Sequence, residues 1–170
     1  MKPYLSKAAV QLREQIDDCF PDRSRKSDGW IASAQHQMRS KVSDHNPLKT
    51  GEVCALDITA DLGAAEGISA YLADQIRIAG KTDKRIKYVI HNHHIASKLL
   101  NWKWRKYKGI NPHTKHIHIS FKPNQTGEFF NIPLLGGGEV VWQGGGKRGW
   151  MVTKQIRQLL RQWDWSGERL

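Results

Sequence analysis

His116-Ile117-His118-Ile119-Ser120-Phe121 alternates polar and apolar residues with period two, the pattern of a strand that presents its two faces to different surroundings. One face carries Ile117, Ile119 and Phe121 and is expected to enter a core. The other carries His116, His118 and Ser120 and is expected to point into a cleft. Upstream, Val53-Cys54-Ala55-Leu56-Asp57-Ile58-Thr59 reads as a second, mostly buried strand with one carboxylate, Asp57, inside an apolar run. Ile86 to Ile90 is β-rich, and the polar turn Asn92-His93 returns the chain as a short strand through Ile95. Residues 5–18 place Leu5, Ala8, Ala9, Leu12 and Ile16 near a helical period, closed by Phe20-Pro21 and the polar run 22–28. Residues 64–79 form a second helical pattern, with Ile68, Leu72, Ile76 and Ala79 on one side and Gly80 as its stop. Strands and helices in this mixture predict an α+β domain with a small, mostly antiparallel sheet flanked by helices.

The chain has 170 residues, 39% hydrophobic and 25% charged, enough to build one core and unlike a disordered chain. No apolar run reaches the roughly 18 residues of a membrane span, and residues 1–20 lack the continuous apolar stretch of a secretory signal. The expectation is synthesis in a cytoplasm without a leader. Lys and Arg number 27 against 16 Asp and Glu, a formal charge of +11. Such a balance favours polyanionic partners: nucleic acid, anionic lipid or an acidic cell wall. The two cysteines, Cys19 and Cys54, are too few for a disulfide framework and lack zinc-ribbon spacing.

Three segments carry candidate chemistry: Ser43-Asp44-His45, Ala55-Leu56-Asp57, and His113-Thr114-Lys115-His116-Ile117-His118. A catalytic zinc typically takes three nitrogen, sulfur or carboxylate ligands and leaves one position open. Two histidines and one aspartate from separate segments would satisfy this. A carboxylate in an apolar run is costly unless it meets a cation or metal, which singles out Asp57. The blander readings are a half-exposed strand for His-x-His and a helix cap for the aspartate, with Thr59 or Asp61 as other caps. No His-Glu-x-x-His helix is present.

Ser43-Asp44-His45-Asn46-Pro47, then Gly51-x-Val53-x-Ala55-Leu56-Asp57-Ile58-Thr59, then His116-Ile117-His118 resembles the zinc peptidases that cut peptidoglycan peptides. These include D-alanyl-D-alanine carboxypeptidases, L-alanyl-D-glutamate endopeptidases and the hedgehog-type domain. Together with Ser27-Asp28-Gly29-x-Ile31, the motifs look like the phage endolysins of this group. The resemblance covers roughly residues 27–121. It implies a hedgehog or DD-peptidase-like zinc peptidase fold, with His45, Asp57 and His118 as ligands of Zn2+. It also implies that Arg39 holds a substrate carbonyl or carboxylate, a role suited to a guanidinium fork. Ser43 and His36 are expected to line the same cleft.

Two positions depart from that pattern. The gap from His45 to Asp57 is longer, so residues 46–52 must loop out, which Asn46-Pro47 and Thr50-Gly51 make easy. Many members carry an acidic base three residues before the last ligand, and here Lys115 stands there. A branch resembling the murein endopeptidases clusters extra histidines instead, and His113, His116 and His118 fit its spacing. His116, with His113 second, is therefore expected to act as general base or stabiliser, because histidine titrates near operating pH.

On this reading residues 1–122 form the catalytic domain. Residues 123–170 form a Gly-rich linker and a basic amphipathic helix, Met151 to Trp163, expected to pack on the same domain. The expected function is cleavage of peptidoglycan stem peptides by a monomeric endolysin that acts on the bacterial cell wall. The alternatives are a D-alanyl-D-alanine carboxypeptidase, a non-catalytic wall-binding module and a nucleic-acid-binding basic protein. The C-terminal helix, with Lys154, Arg157 and Arg161 in one stripe, could instead contact an anionic membrane or wall polymer. His91, His93 and His94 read as a hairpin turn and strand ends. Trp102, Trp104 and Tyr107 interleave with cations, but no zinc-finger, RRM or helix-turn-helix signature accompanies them, so no specific nucleic-acid recognition is expected.

Overall fold

A computed structural model of the chain describes residues 1–137. The architecture is α+β. Ten helices and strands of these residues run in the order β1 (Tyr4–Leu5), α1 (Lys7–Cys19), α2 (Ala34–Arg39), β2 (Glu52–Val53), β3 (Ala55–Thr59), α3 (Ile68–Ala79), β4 (Ile86–His91), β5 (His94–Ser97), β6 (Arg105–Lys106) and β7 (His116–Phe121). Five of them form an antiparallel sheet in the order β3-β7-β4-β5-β6, and β1 and β2 form a separate parallel pair.

One face of the sheet packs against α1 and α3. Ile117, Ile119 and Phe121 of β7 join Leu56 and Ile58 of β3, Leu12 and Ile16 of α1, and Leu72 and Ile76 of α3 in one buried cluster. The β7 alternation therefore reports two faces, as its sequence implies.

Several boundaries differ from the periodicity. Leu5 belongs to β1, paired with Val53, and Ser6 caps α1 by accepting from the Ala9 N–H at 3.4 Å. The strand expected over 53–59 is broken at Cys54, whose N–H turns to the Asp44 carbonyl. The helix expected from Ala64 starts only at Ile68, because Gly67 sits at φ 83°, a left-handed conformation that an α-helix cannot pass through. Gly80 does end that helix, at φ −60°. Its small size matters more than its freedom, since a Cβ there would strike the Trp102 ring. The Asn92-His93 turn has φ of 42° and 65°, the doubly left-handed turn that matches strand twist in two-residue hairpins. Helix α2 and strand β6 carry no expectation from sequence. Helix α2 buries no residue, so it has no apolar stripe to read.

Residues past 122 continue the same core. Phe130, Ile132, Leu134 and Leu135 are buried in the cluster, and Gln15 on α1 bonds the carbonyls of Phe130 and Leu135 and the Phe130 N–H. Arg85 lies over the Phe130 ring at 3.7 Å. The Gly-rich linker beyond residue 137 and the helix read over 151–163 lie outside the described residues.

A buried ion-pair network ties the 23–29 segment to the end of β3. The Arg23 guanidinium, fully buried, forks onto Asp28 at 2.9 and 2.7 Å and reaches Asp17 at 2.7 Å. Asp28 in turn accepts from the Thr59 N–H and hydroxyl. Burial alone would raise the Asp28 carboxyl, but Arg23 and Thr59 outweigh it and hold it below the ordinary carboxylate value.

Asp28→Asn is expected to lower stability by about 2–3 kcal/mol, read from urea midpoints, because it leaves Arg23 buried with Asp17 alone. A carboxyl depressed by folding stabilises above its unfolded pKa of about 3.9 and stops doing so as pH falls through its folded value. The wild-type advantage over Asp28→Asn should hold from about pH 7 to 5 and shrink below about pH 4. An advantage that persists undiminished at about pH 2 would show that ionised Asp28 is not its source.

Candidate metal centre

Asp57 and His118 are 61 residues apart, and the antiparallel register of β3 and β7 sets them directly opposite each other. Side chains of such a pair share one face, here the face away from the helices. His118 Nδ1 lies 2.9 Å from Asp57 Oδ1. His45 reaches the same point from the loop between α2 and β2, its Nε2 3.2 Å from Asp57 Oδ2 and 3.1 Å from His118 Nδ1. His45, Asp57 and His118 thus form a group that could hold a metal ion.

The donor spacing is of the size that a small metal ion takes. Tetrahedral bonds of about 2.0–2.1 Å place ligand atoms about 3.3 Å apart, close to the separations of 2.9–3.2 Å. Each imidazole also has its other nitrogen engaged. His45 Nδ1 donates to the Trp30 carbonyl at 3.1 Å, and His118 Nε2 lies 2.9 Å from Ser120 Oγ. Such outer partners fix the ring and the tautomer that faces the metal.

Local turns hold His45 in place. Ser43 Oγ accepts from the His45 N–H, the His45 carbonyl accepts from Ala32, and Asn46 bonds the Ser40 carbonyl. Residues 46–52 do loop out, closing through Leu48 and Gly51, the latter at φ 84°.

The electrostatics separate the group. Burial would raise Asp57, but hydrogen bonds and charge from His118 and His45 hold it well below the carboxylate range. Burial would lower His45, but Asp57 and the Trp30 carbonyl raise it above its ordinary value. His113 and His116 go the other way. Burial and the neighbouring charges of His118 and His116 push His113 down to about 4. Burial lowers His116 as well, with the His118 and His45 charges adding to it against the pull of Asp57. Burial thus favours the uncharged form of both rings.

His116 Nε2 stands 3.8 Å from Asp57 Oδ1. His116 Nε2 and His113 Nδ1 are buried without a hydrogen-bond partner among the described residues. The His113 ring meets those of His116 and His118 edge-on at 4.9 and 5.4 Å. The hairpin tip places it there, since the N–H groups of Asn92 and His93 bind the carbonyls of His113 and Pro112.

Five sequence-derived residues therefore converge: His45, Asp57, His113, His116 and His118. Ser43 turns its hydroxyl to the His45 backbone. His36 and Arg39 are exposed on α2, whose flanks at Ala32 and Ser40 are tied to His45 and Asn46. Lys115 is exposed, and its carbonyl accepts from Ala60. His91 is buried, its Nδ1 3.1 Å from the His116 carbonyl. Trp102 is buried in the core and Trp104 donates to Asp74. Sequence reasoning passed over Tyr88, whose ring stacks on His118. Only the register of β4 against β7 reveals it.

No family model, no curated protein and no solved structure matches the chain.

The purified chain is expected to bind one Zn2+ and to melt at higher temperature with it. Saturation at about 1,000 times Kd would add about 4 kcal/mol. Asp57→Ala and His118→Ala should each abolish both the bound zinc, measured by elemental analysis, and the thermal shift. A shift retained in both variants would place the ion elsewhere.

Proposed function

We propose that this chain is a zinc-dependent peptidase that hydrolyses peptide bonds in bacterial peptidoglycan, of the L-alanyl-D-glutamate or crosslink endopeptidase kind found in phage endolysins. One observation carries the reading: His113 Nδ1 and His116 Nε2, buried and without a hydrogen-bond partner among the described residues, stand beside the His-Asp-His group that could hold a metal ion. A structural metal site needs no such neighbours, whereas hydrolysis needs a proton acceptor next to the metal. The sequence motifs that resemble wall peptidases supply the substrate class.

His45, Asp57 and His118 would hold a zinc ion, which would supply Lewis acidity to polarise an amide carbonyl and make water more acidic. His116 does the proton work. Its unpaired Nε2 accepts a proton from water in the site and returns it to the leaving amine. His113 packs edge-on against His116 and His118 and is the second candidate for the base. Lys115 cannot take the base role as a cation. Arg39 and His36, exposed on α2, are the groups available to an incoming peptide, and Arg39 suits a carboxylate. Ten basic residues against one acidic between positions 76 and 108 favour an anionic substrate such as a wall peptide.

Purified peptidoglycan should lose turbidity with the wild-type chain and not with His118→Ala. His116→Ala should keep its zinc and lose about 100- to 10,000-fold in rate. Mass spectrometry of the new ends separates an endopeptidase from a carboxypeptidase, which would release free D-alanine. Zinc binding without any hydrolysis would overturn the enzymatic reading in favour of a wall-binding module.

A further inference from the structure

Where β7 enters the sheet, one expected ladder bond is replaced by a side chain. In the β4–β7 register Tyr88 stands opposite Ser120 and Ile90 opposite His118, so Asn92 would come opposite His116. On the other side of β7, the Lys115 carbonyl accepts from Ala60 and the Phe121 N–H bonds the Cys54 carbonyl. Successive residues of a strand turn their main-chain groups to opposite neighbours. The main-chain groups of His116, His118 and Ser120 therefore turn to β4, and a regular ladder would give the His116 carbonyl the Asn92 N–H.

That N–H goes elsewhere. Asn92 and His93 turn the chain at φ 42° and 65°, and their N–H groups bond the carbonyls of His113 and Pro112 at 3.0 and 2.8 Å. His113 is itself left-handed, at φ 55°, a conformation that a non-glycine residue keeps where its surroundings hold it. The exchange draws residues 112–113 against the hairpin tip and takes the strand partner from the His116 carbonyl. A main-chain acceptor inside a sheet is costly to leave unpaired.

His91 fills the place. Its Nδ1 lies 3.1 Å from the His116 carbonyl oxygen. A carbonyl only accepts, so Nδ1 carries the proton and donates it. The ring comes from the helix side of the sheet. Tyr88 and Ile90 share the face of their partners Ser120 and His118, whereas Val89, in the core cluster, and His91 alternate with them. His91 is buried, with Nε2 3.5 Å from Ser69 Oγ on α3.

We propose that His91 is a positioning residue for the two outer histidines: its Nδ1–H replaces the ladder bond to the His116 carbonyl and so frees the Asn92-His93 tip to hold His113 beside His116. Its consequence for rate rests on the peptidase reading above. His91 lies on the face away from the candidate metal centre and acts through the backbone of His116.

The test compares the full chain as wild type, His91→Asn and His91→Leu. Asn keeps an N–H donor at the δ position, and Leu removes the donor. Zinc affinity should stay close to wild type in both, because His118 keeps its own ladder pair with Ile90. On soluble peptidoglycan fragments His91→Leu is expected to lose about 10- to 100-fold in kcat with KM unchanged, the scale on which small displacements of reacting groups act. His91→Asn should recover most of that loss. Two readouts need no activity. Long-range 1H–15N spectra of the wild-type chain at about pH 8.5, where imidazole is neutral, should show His91 as the Nδ1–H tautomer. Amide exchange at Asn92 and His93 should speed up about tenfold or more in His91→Leu and return in His91→Asn. An Nε2–H tautomer in wild type, or a folded His91→Leu with wild-type kcat and wild-type exchange at the tip, would overturn the proposal. A wild-type chain that cleaves no wall peptide would instead overturn the peptidase reading, and the tautomer and exchange results would still decide the role of His91.

Discussion

The pairing of Asp57 with His118 across β3 and β7 is the constraint on which the rest depends. It is an antiparallel register, and a register slip of one residue exchanges the faces of a strand. Here that exchange would drive His116, His118 and Ser120 into the helices and expose Ile117, Ile119 and Phe121. The hydrophobic core and the candidate metal centre are thus specified by the same set of backbone hydrogen bonds. The core favours one register strongly, because three large apolar side chains of β7 are fully buried and each contributes about 1.5–3 kcal/mol on burial. The polar face is carried along by that choice.

That polar face is expensive. A carboxylate and several imidazoles crowd together in a partly desolvated place, which costs free energy unless the charges are paired. The surrounding loops supply the pairing and the alignment. Gly29 forms an isolated antiparallel bridge with Asp57, donating to its carbonyl at 3.1 Å and accepting from its N–H at 2.7 Å. The Arg23–Asp28–Thr59 network holds the segment that carries Gly29. The carbonyl of Trp30, one residue further, takes the His45 ring proton. One short stretch, residues 28–30, therefore fixes both the backbone beside one ligand and the ring of another.

How far the sequence carries depends on the range of the interaction. Alternation in 116–121 and the apolar run around Asp57 are local signals; β7 lies where its signal places it, and β3 takes up Ala55–Thr59 of the run expected over 53–59. The Asn92-His93 turn is equally local. The α3 start was misread because helical spacing extends through Ala64 and Ala65, while the left-handed Gly67 is a backbone fact that spacing does not report. The Leu5 boundary was misread because a parallel partner, β2, lies some 50 residues away in the chain. The three candidate ligands were legible through motifs resembling a known family, not through spacing, which left metal binding undecided. Tyr88 was illegible for a different reason: its place over His118 depends on a bulge at Lys87, and nothing in Ile86-Lys87-Tyr88 marks one.

The histidines also show how one residue type is divided between two tasks. His45 and His118 lie 3.2 and 2.9 Å from the Asp57 oxygens. His116 lies 3.8 Å away, and His113 faces other imidazoles. Burial lowers His113 and His116, and the charges of neighbouring rings add to it, while Asp57 raises His45 against its own burial. Environments that push like groups apart in this manner are how a site assigns roles. The rings nearest the carboxylate share its charge and suit a cation. The outer two stay neutral and suit a proton. The alternation of β7 puts a member of each class, His118 and His116, on the same strand face two residues apart, so a single strand sets the spacing between the candidate ligand and the proposed base.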